Sequence, residues 1–186
     1  MVLDILILVV IAVLIALAAA EGLIRTLIMT FGFYLLTILL GMVVVAFNLA
    51  QALGDAVLNS LQGPTSPFFY QGMIFLALLI PSFVILLVIS HFALSDTSLE
   101  VLGWLDNVLG TLLGIGLALV FAAIVCNSWG VIVSQQWRPF NTWVAMRAAY
   151  DGSVLRPYML NILVFYRRLL FPFATSGYPI FFVPQG

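Results

Sequence analysis

Residues 5–47 read ILILVVIAVLIALAAAEGLIRTLIMTFGFYLLTILLGMVVVAF, with Glu21 and Arg25 as the only charged side chains. Two apolar runs flank the tight connection Glu21-Gly22-Leu23-Ile24-Arg25. About 20 apolar residues cross a hydrocarbon core of ~30 Å at 1.5 Å per residue. The stretch therefore predicts two membrane helices, one over about Ile5 to Ala20 and one over about Leu27 to Phe47. The first is slightly short, and Ala18-Ala19-Ala20-Glu21 resembles a small-residue cleavage site. No Lys or Arg precedes the run, however, as a secretory signal normally requires, so it reads as the first transmembrane helix.

The rest of the chain agrees. Of 186 residues 65% are apolar and 7% charged, against roughly 25% charged in soluble domains. The mean hydropathy is +1.25. A water-soluble fold of this size could not hide so much apolar surface, whereas lipid accepts it. The net charge of −1 offers no basic face to nucleic acid, and the six cations are all Arg.

Residues 48–70 form the longest connection. Leu49, Leu53, Val57 and Leu61 recur every fourth position, which predicts a short surface-lying amphipathic helix ended by Gly63-Pro64. A third membrane helix is expected over about Gly72 to Phe92, kinked at Pro81. Thr97-Ser98-Leu99-Glu100 has the capping-box pattern and should open a fourth, running to about Asn127 with Trp104 as an interfacial anchor. Residues 1–128 are thus expected to form a four-helix transmembrane domain.

Residues 129–186 read as an interfacial or re-entrant region. Trp129, Trp137 and Trp143 mark an interface. Tyr158 to Phe171 lies between Pro157 and Pro172, carries Arg167-Arg168 and is too short to span. Tyr178 to Pro184 is proline-punctuated and expected to be extended.

Gly110, Gly114, Ala118 and Ala122 are four apart on the fourth helix and form a small-residue ridge. Such ridges let helix backbones approach closely, replacing the hydrophobic drive that lipid removes. Ala12, Ala16 and Ala20 repeat the spacing on the first helix, and the two ridges are expected to face each other or a second copy. Glu21 and Arg25 share a helical face, and Asp106 opens the fourth helix on the same side of a four-helix topology. Charges near lipid are usually paired, so Arg25 is expected to bridge Glu21 and Asp106 as a structural staple.

No catalytic chemistry is legible. The chain lacks a nucleophile–base arrangement, a phosphate loop and paired catalytic carboxylates. His91 is the only histidine and reads as an interfacial side chain rather than a haem or metal ligand. Cys126 stands alone in an apolar run, so neither a disulfide nor a zinc site is expected. No cofactor is implied. The expected partners are the bilayer and either other membrane subunits or further copies of the chain.

Three motifs carry a resemblance. Leu3-Asp4-Ile5-Leu6 opens the first helix, and Gly22-Leu23-Ile24-Arg25 follows it. Asp106-Asn107-Val108-Leu109-Gly110-Thr111-Leu112-Leu113-Gly114 opens the fourth. Ser153 and Pro157 precede an apolar tail. In this order and spacing the chain resembles the colicin V production (CvpA) family of bacterial inner-membrane proteins. The resemblance implies a multi-pass membrane protein linked to colicin (toxin) production or export and to envelope stress, with no established biochemical activity. The chain departs from the family at Glu21, where Arg is usual before Gly22, at Asn107, where Arg is usual, and at Leu117-Ala118, where Arg-Gly is usual. Basic loops in the family place the first and third connections in the cytoplasm, whereas five of the six arginines here lie in the tail. The two indications of orientation oppose each other.

The expectation is an all-α polytopic bundle of about four transmembrane helices with an amphipathic or re-entrant C-terminal segment. Its expected role is non-enzymatic and associated with transport or secretion. The alternative is an accessory subunit of a larger energy-transducing membrane complex.

Overall fold

Gly22 is where the first long helix turns back. In the computed structural model, which describes residues 2–46, 52, 55, 56, 66–93, 104–170 and 180–184, α1 (Val2–Ala46) is helical on both sides of this one residue. Gly22 has φ +78° and ψ −179°, a conformation essentially closed to residues with a Cβ. A methyl group built on Gly114 would collide with Ala18 Cβ and lie 3.7 Å from Thr26 Cγ2. Eight residues on a continuous helix rise about 12 Å, so Ala18 and Thr26 can meet at one point only if the chain has folded into a hairpin.

The remaining elements are α2 (Pro67–Ala93), α3 (Trp104–Val133), α4 (Phe140–Asp151), α5 (Arg156–Leu170) and a 3-10 turn at Ile180–Phe182. The described residues are helical throughout apart from short connections, and they contain no strand. Among the described residues three helices are long and apolar enough to cross a membrane: Val2–Val44, which holds the hairpin, Phe68–Phe92 and Trp104–Val133. α2 runs through Pro81 as one helix. Of the surface helix expected in the 48–70 connection, only residues 52, 55 and 56 are described, all three helical and exposed, and the capping box at Thr97 lies outside the described residues.

α3 is the central element. Residues 121–128 and 130–133 are buried on every side of it. α1 and α2 keep their outward faces apolar and exposed, as at Val9, Val13, Phe31, Leu39, Val84 and Ile85. This inverted surface is what a lipid solvent demands. Phe33 of α1, Phe83 of α2 and Phe121 of α3 meet at ring-centroid distances of 5.2, 5.6 and 4.8 Å and fill the space between the three helices.

The tail closes one end of the bundle. The first four N–H and last four C=O groups of a helix lack intrahelical partners. At the end of α3, Trp137 Nε1 donates to Ile132 O at 3.0 Å and Trp143 Nε1 to Val133 O at 3.2 Å. Trp129 Nε1 donates to Met146 O of α4. These three indoles, expected at an interface, are turned inward as caps and ties. α5 is amphipathic and buries Met159, Leu163, Tyr166 and Leu170 against the bundle. Residues 180–182 form a 3-10 turn rather than the extended backbone expected over Tyr178 to Pro184, because Phe181 stacks on Phe75 at 4.2 Å and Phe182 packs edge-on to it at 6.0 Å.

Candidate functional site

Two carboxylates, one at each end of the hairpin, hold the bundle together. At the apex, Asp106 in the first turn of α3 is 8% exposed. Its Oδ1 accepts from Leu23 N at 3.1 Å. Leu23 begins the returning limb, so its N–H is one of the orphans of a helix start. Asp106 caps that start from another helix and places an anion at the positive end of its dipole. Thr26, fully buried, donates to Gly22 O at 2.7 Å and satisfies the other side of the turn.

The small-residue ridge of α3 makes this approach possible. Gly110 lies against the turn itself: a Cβ there would sit 2.6 Å from Gly22 C, 2.8 Å from Gly22 O and 2.9 Å from Leu23 N. Gly114 is packed against Ala18. Ala118 and Ala122 continue the ridge and are fully buried. The α1 residues facing it are Ala18 and Gly22, and Leu14, one turn before Ala18, is buried as well. Ala12, Ala16 and Ala20 point outward instead, because Gly114 seats on Ala18 and the opposite face of the limb is left to the surroundings.

The other apex charges sit beside this capped turn. Glu21 is largely buried and lies 3.9 Å from Nδ1 of the exposed His91, at the end of α2. Arg25, half-buried, and His91 both act electrostatically on the Glu21 carboxylate. Histidine was read from sequence as an interfacial side chain; the structure adds this acidic neighbour.

At the opposite end Asp4, in the first turn of α1, reaches the start of α5. Its Oδ1 accepts from Ser153 Oγ at 2.7 Å and from Leu155 N at 3.1 Å, while Ser153 Oγ accepts from Arg156 N at 3.2 Å. Asp4 and Ser153 together cap α5 as Asp106 caps the second limb. Arg156 bonds Asp151 at 3.1 Å, Arg147 bonds the same carboxylate at 2.7 Å, and Arg156 lies 4.3 Å over the Tyr150 ring.

Four further hydrogen bonds fix the tail inside the apolar bundle. Asn127 Nδ2 donates to Phe181 O at 2.6 Å and Val183 O at 3.1 Å. Tyr34 OH donates to Leu169 O at 2.8 Å. The hydroxyls of Thr37 and Tyr166 are 2.5 Å apart. Sequence reasoning did not single out these contacts; of Thr37 it expected a bond back to a backbone carbonyl, and its Oγ1 does donate to Tyr34 O at 2.8 Å. Only Asn127, an amide in a long apolar run, gave a signal that could have been followed.

No group of three or more His, Cys, Asp or Glu side chains able to hold a metal occurs among the described residues. Cys126 is buried in the core. The capping contacts satisfy backbone groups at helix ends that would otherwise be orphaned inside or beside lipid.

No curated protein and no solved structure matches the chain. A family model, described as Colicin V production protein, matches residues 3–164. That interval takes in Asp4, the Gly22 turn, Asp106 and the glycine ridge, Ser153 and most of α5. The chain is a multi-pass helical membrane protein and belongs to the Colicin V production family.

Proposed function

We propose that this chain is a non-enzymatic component of a transport or secretion system in the bacterial inner membrane, acting through association with other membrane chains. In this reading the hairpin supplies two crossings and α2 and α3 one each. Residues 1–128 then form the transmembrane domain, and residues 129–186 its interfacial or re-entrant cover. Glu21, Arg25 and Asp106, with Gly110, Gly114, Ala118 and Ala122, form the staple that locks the hairpin onto the central helix.

The observation that carries the reading is the aromatic plug. Phe33, Phe83 and Phe121 occupy the interior through which a one-copy pore would have to run. A conducting path needs polar lining or water. This interior supports instead a packed unit that assembles with copies of itself or with other subunits. The accessory-subunit reading is favoured by one separate feature. Ala12, Ala16 and Ala20 leave a small-residue strip on the outward face of α1, where another helix can approach closely.

The test is the mass and composition of the particle after mild detergent extraction from native membranes. A fixed set of companion subunits supports the accessory role. A homo-oligomer supports a pore or scaffold built from several copies, and solute flux in liposomes then separates those two. A solitary monomer without flux refutes both.

A further inference from the structure

The two acidic clasps mark depth. Asp4 is eighteen residues before Gly22, about 27 Å along a helix at 1.5 Å per residue. The charged apex at Glu21, Arg25, Asp106 and His91 and the clasp at Asp4–Ser153 are therefore separated by close to the ~30 Å thickness of a hydrocarbon core. α5 starts at the Asp4 clasp. Its far end is bonded to Tyr34 and Thr37, twelve and fifteen residues past Gly22, or about 18 and 23 Å from the apex. Side chains on a helix lean toward its N-terminus, which carries the Tyr34 and Thr37 hydroxyls still closer to the apex. The end of α5 is thus held roughly 5–10 Å deeper than its start.

The outward face of α5 suits that depth. Tyr158 and Phe165 are each 63% exposed, and Leu169 is 49% exposed. Arg168, also exposed, lies with Asn161 seven residues away on the middle of this face, directly opposite the buried stripe. A guanidinium set among exposed apolar groups below the interface must reach for an anion, and the anion in a leaflet is a lipid phosphate.

We propose that α5 is a re-entrant wedge in one leaflet and that its outer face binds an anionic phospholipid, with acyl chains against Tyr158, Phe165 and Leu169 and the phosphate on Arg168. The inference rests on the reading of the hairpin as two membrane crossings, so the experiment tests that separately. In a Cys126→Ala background, spin labels are placed singly at Val13, Val154 and Phe165 of the full chain in phosphatidylglycerol–phosphatidylethanolamine liposomes. Val13 is nine residues before Gly22 on the exposed face of α1 and should sit near mid-bilayer. Labels at Val13 and Phe165 are expected to be open to oxygen and closed to a water-soluble nickel chelate, with Val154 open to nickel. A Val13 label open to nickel defeats the crossing reading itself. A Phe165 label as open to nickel as Val154 overturns the wedge, and one closed to both reagents places a protein there instead of lipid.

The lipid is then tested by native mass spectrometry of the full chain released from nanodiscs of equal phosphatidylglycerol and phosphatidylcholine. Enrichment of retained phosphatidylglycerol should fall about fivefold in Arg168→Gln, the scale of one basic residue's attraction to an anionic leaflet, and persist in Arg168→Lys. Unchanged enrichment in Arg168→Gln overturns the site.

Discussion

Replacing Gly110 with alanine adds one methyl group where the structure leaves no room. The new Cβ would lie 2.6 Å from Gly22 C, about 0.8 Å inside the 3.4 Å at which ordinary contact begins. All three of its nearest atoms are backbone, so no side-chain rotation relieves the clash. Either α3 or the turn must move, and Asp106, one helical turn away, then loses its grip on Leu23 N. Overpacking of this kind costs roughly 1–3 kcal/mol, and a hydrogen bond to a charged group about 1.5–3 kcal/mol. Gly116, on the same helix, is the control, because a Cβ there meets nothing within 4 Å. Both substitutions gain the same helix propensity, up to ~1 kcal/mol, so their difference isolates the steric term. Equilibrium unfolding in bicelles, by denaturing detergent or steric trapping, should place Gly110→Ala about 2 kcal/mol or more below Gly116→Ala, a factor of about 30 in the unfolding constant. Equal stability of the two variants, within ~0.5 kcal/mol, refutes the claim that this glycine exists to admit the hairpin turn. Gly110→Leu should be worse still and weaken assembly.

Asp4→Ala and Ser153→Ala should each raise deuterium uptake across residues 156–170, and the double mutant should show a coupling of at least ~0.5 kcal/mol; additive singles would mean that the two side chains do not act as one cap. Asn127→Leu removes the donor to Phe181 O and Val183 O, so the tail should become sensitive to carboxypeptidase, with a stability loss of about 1–3 kcal/mol.

The motifs that carried the family resemblance were separate in sequence and are joined in space. Leu3-Asp4 and Ser153 read as distant elements, 149 residues apart, and form one cap. Gly22-x-x-Arg25 read as a connection and Asp106-x-x-x-Gly110-x-x-x-Gly114 as the opening of a distant helix, and they form one turn contact. The α3 ridge was legible because small residues at a spacing of four have few other uses in lipid. The face that α1 turns toward it was not. Ala12, Ala16 and Ala20 have the same spacing, yet Ala18 is the residue chosen, since the rotation of one limb about its axis depends on where Gly22 bends the chain. The fates of Trp137 and Trp143 were hidden for a related reason: an indole beside an apolar run reads as an interfacial anchor, and only the fold supplies the helix end whose carbonyls it caps.

Composition and run length alone determined that the chain is helical, lies in a membrane and turns sharply at Glu21-Gly22. Those properties follow from transfer into lipid and from local backbone conformation, which need no distant partner. The tertiary structure decided which helix is central, which carboxylate caps which helix start, and which face of α5 is buried. Each of those depends on atoms brought together from positions far apart in the chain, and burial of a polar group is tolerable only once its specific partner is in place.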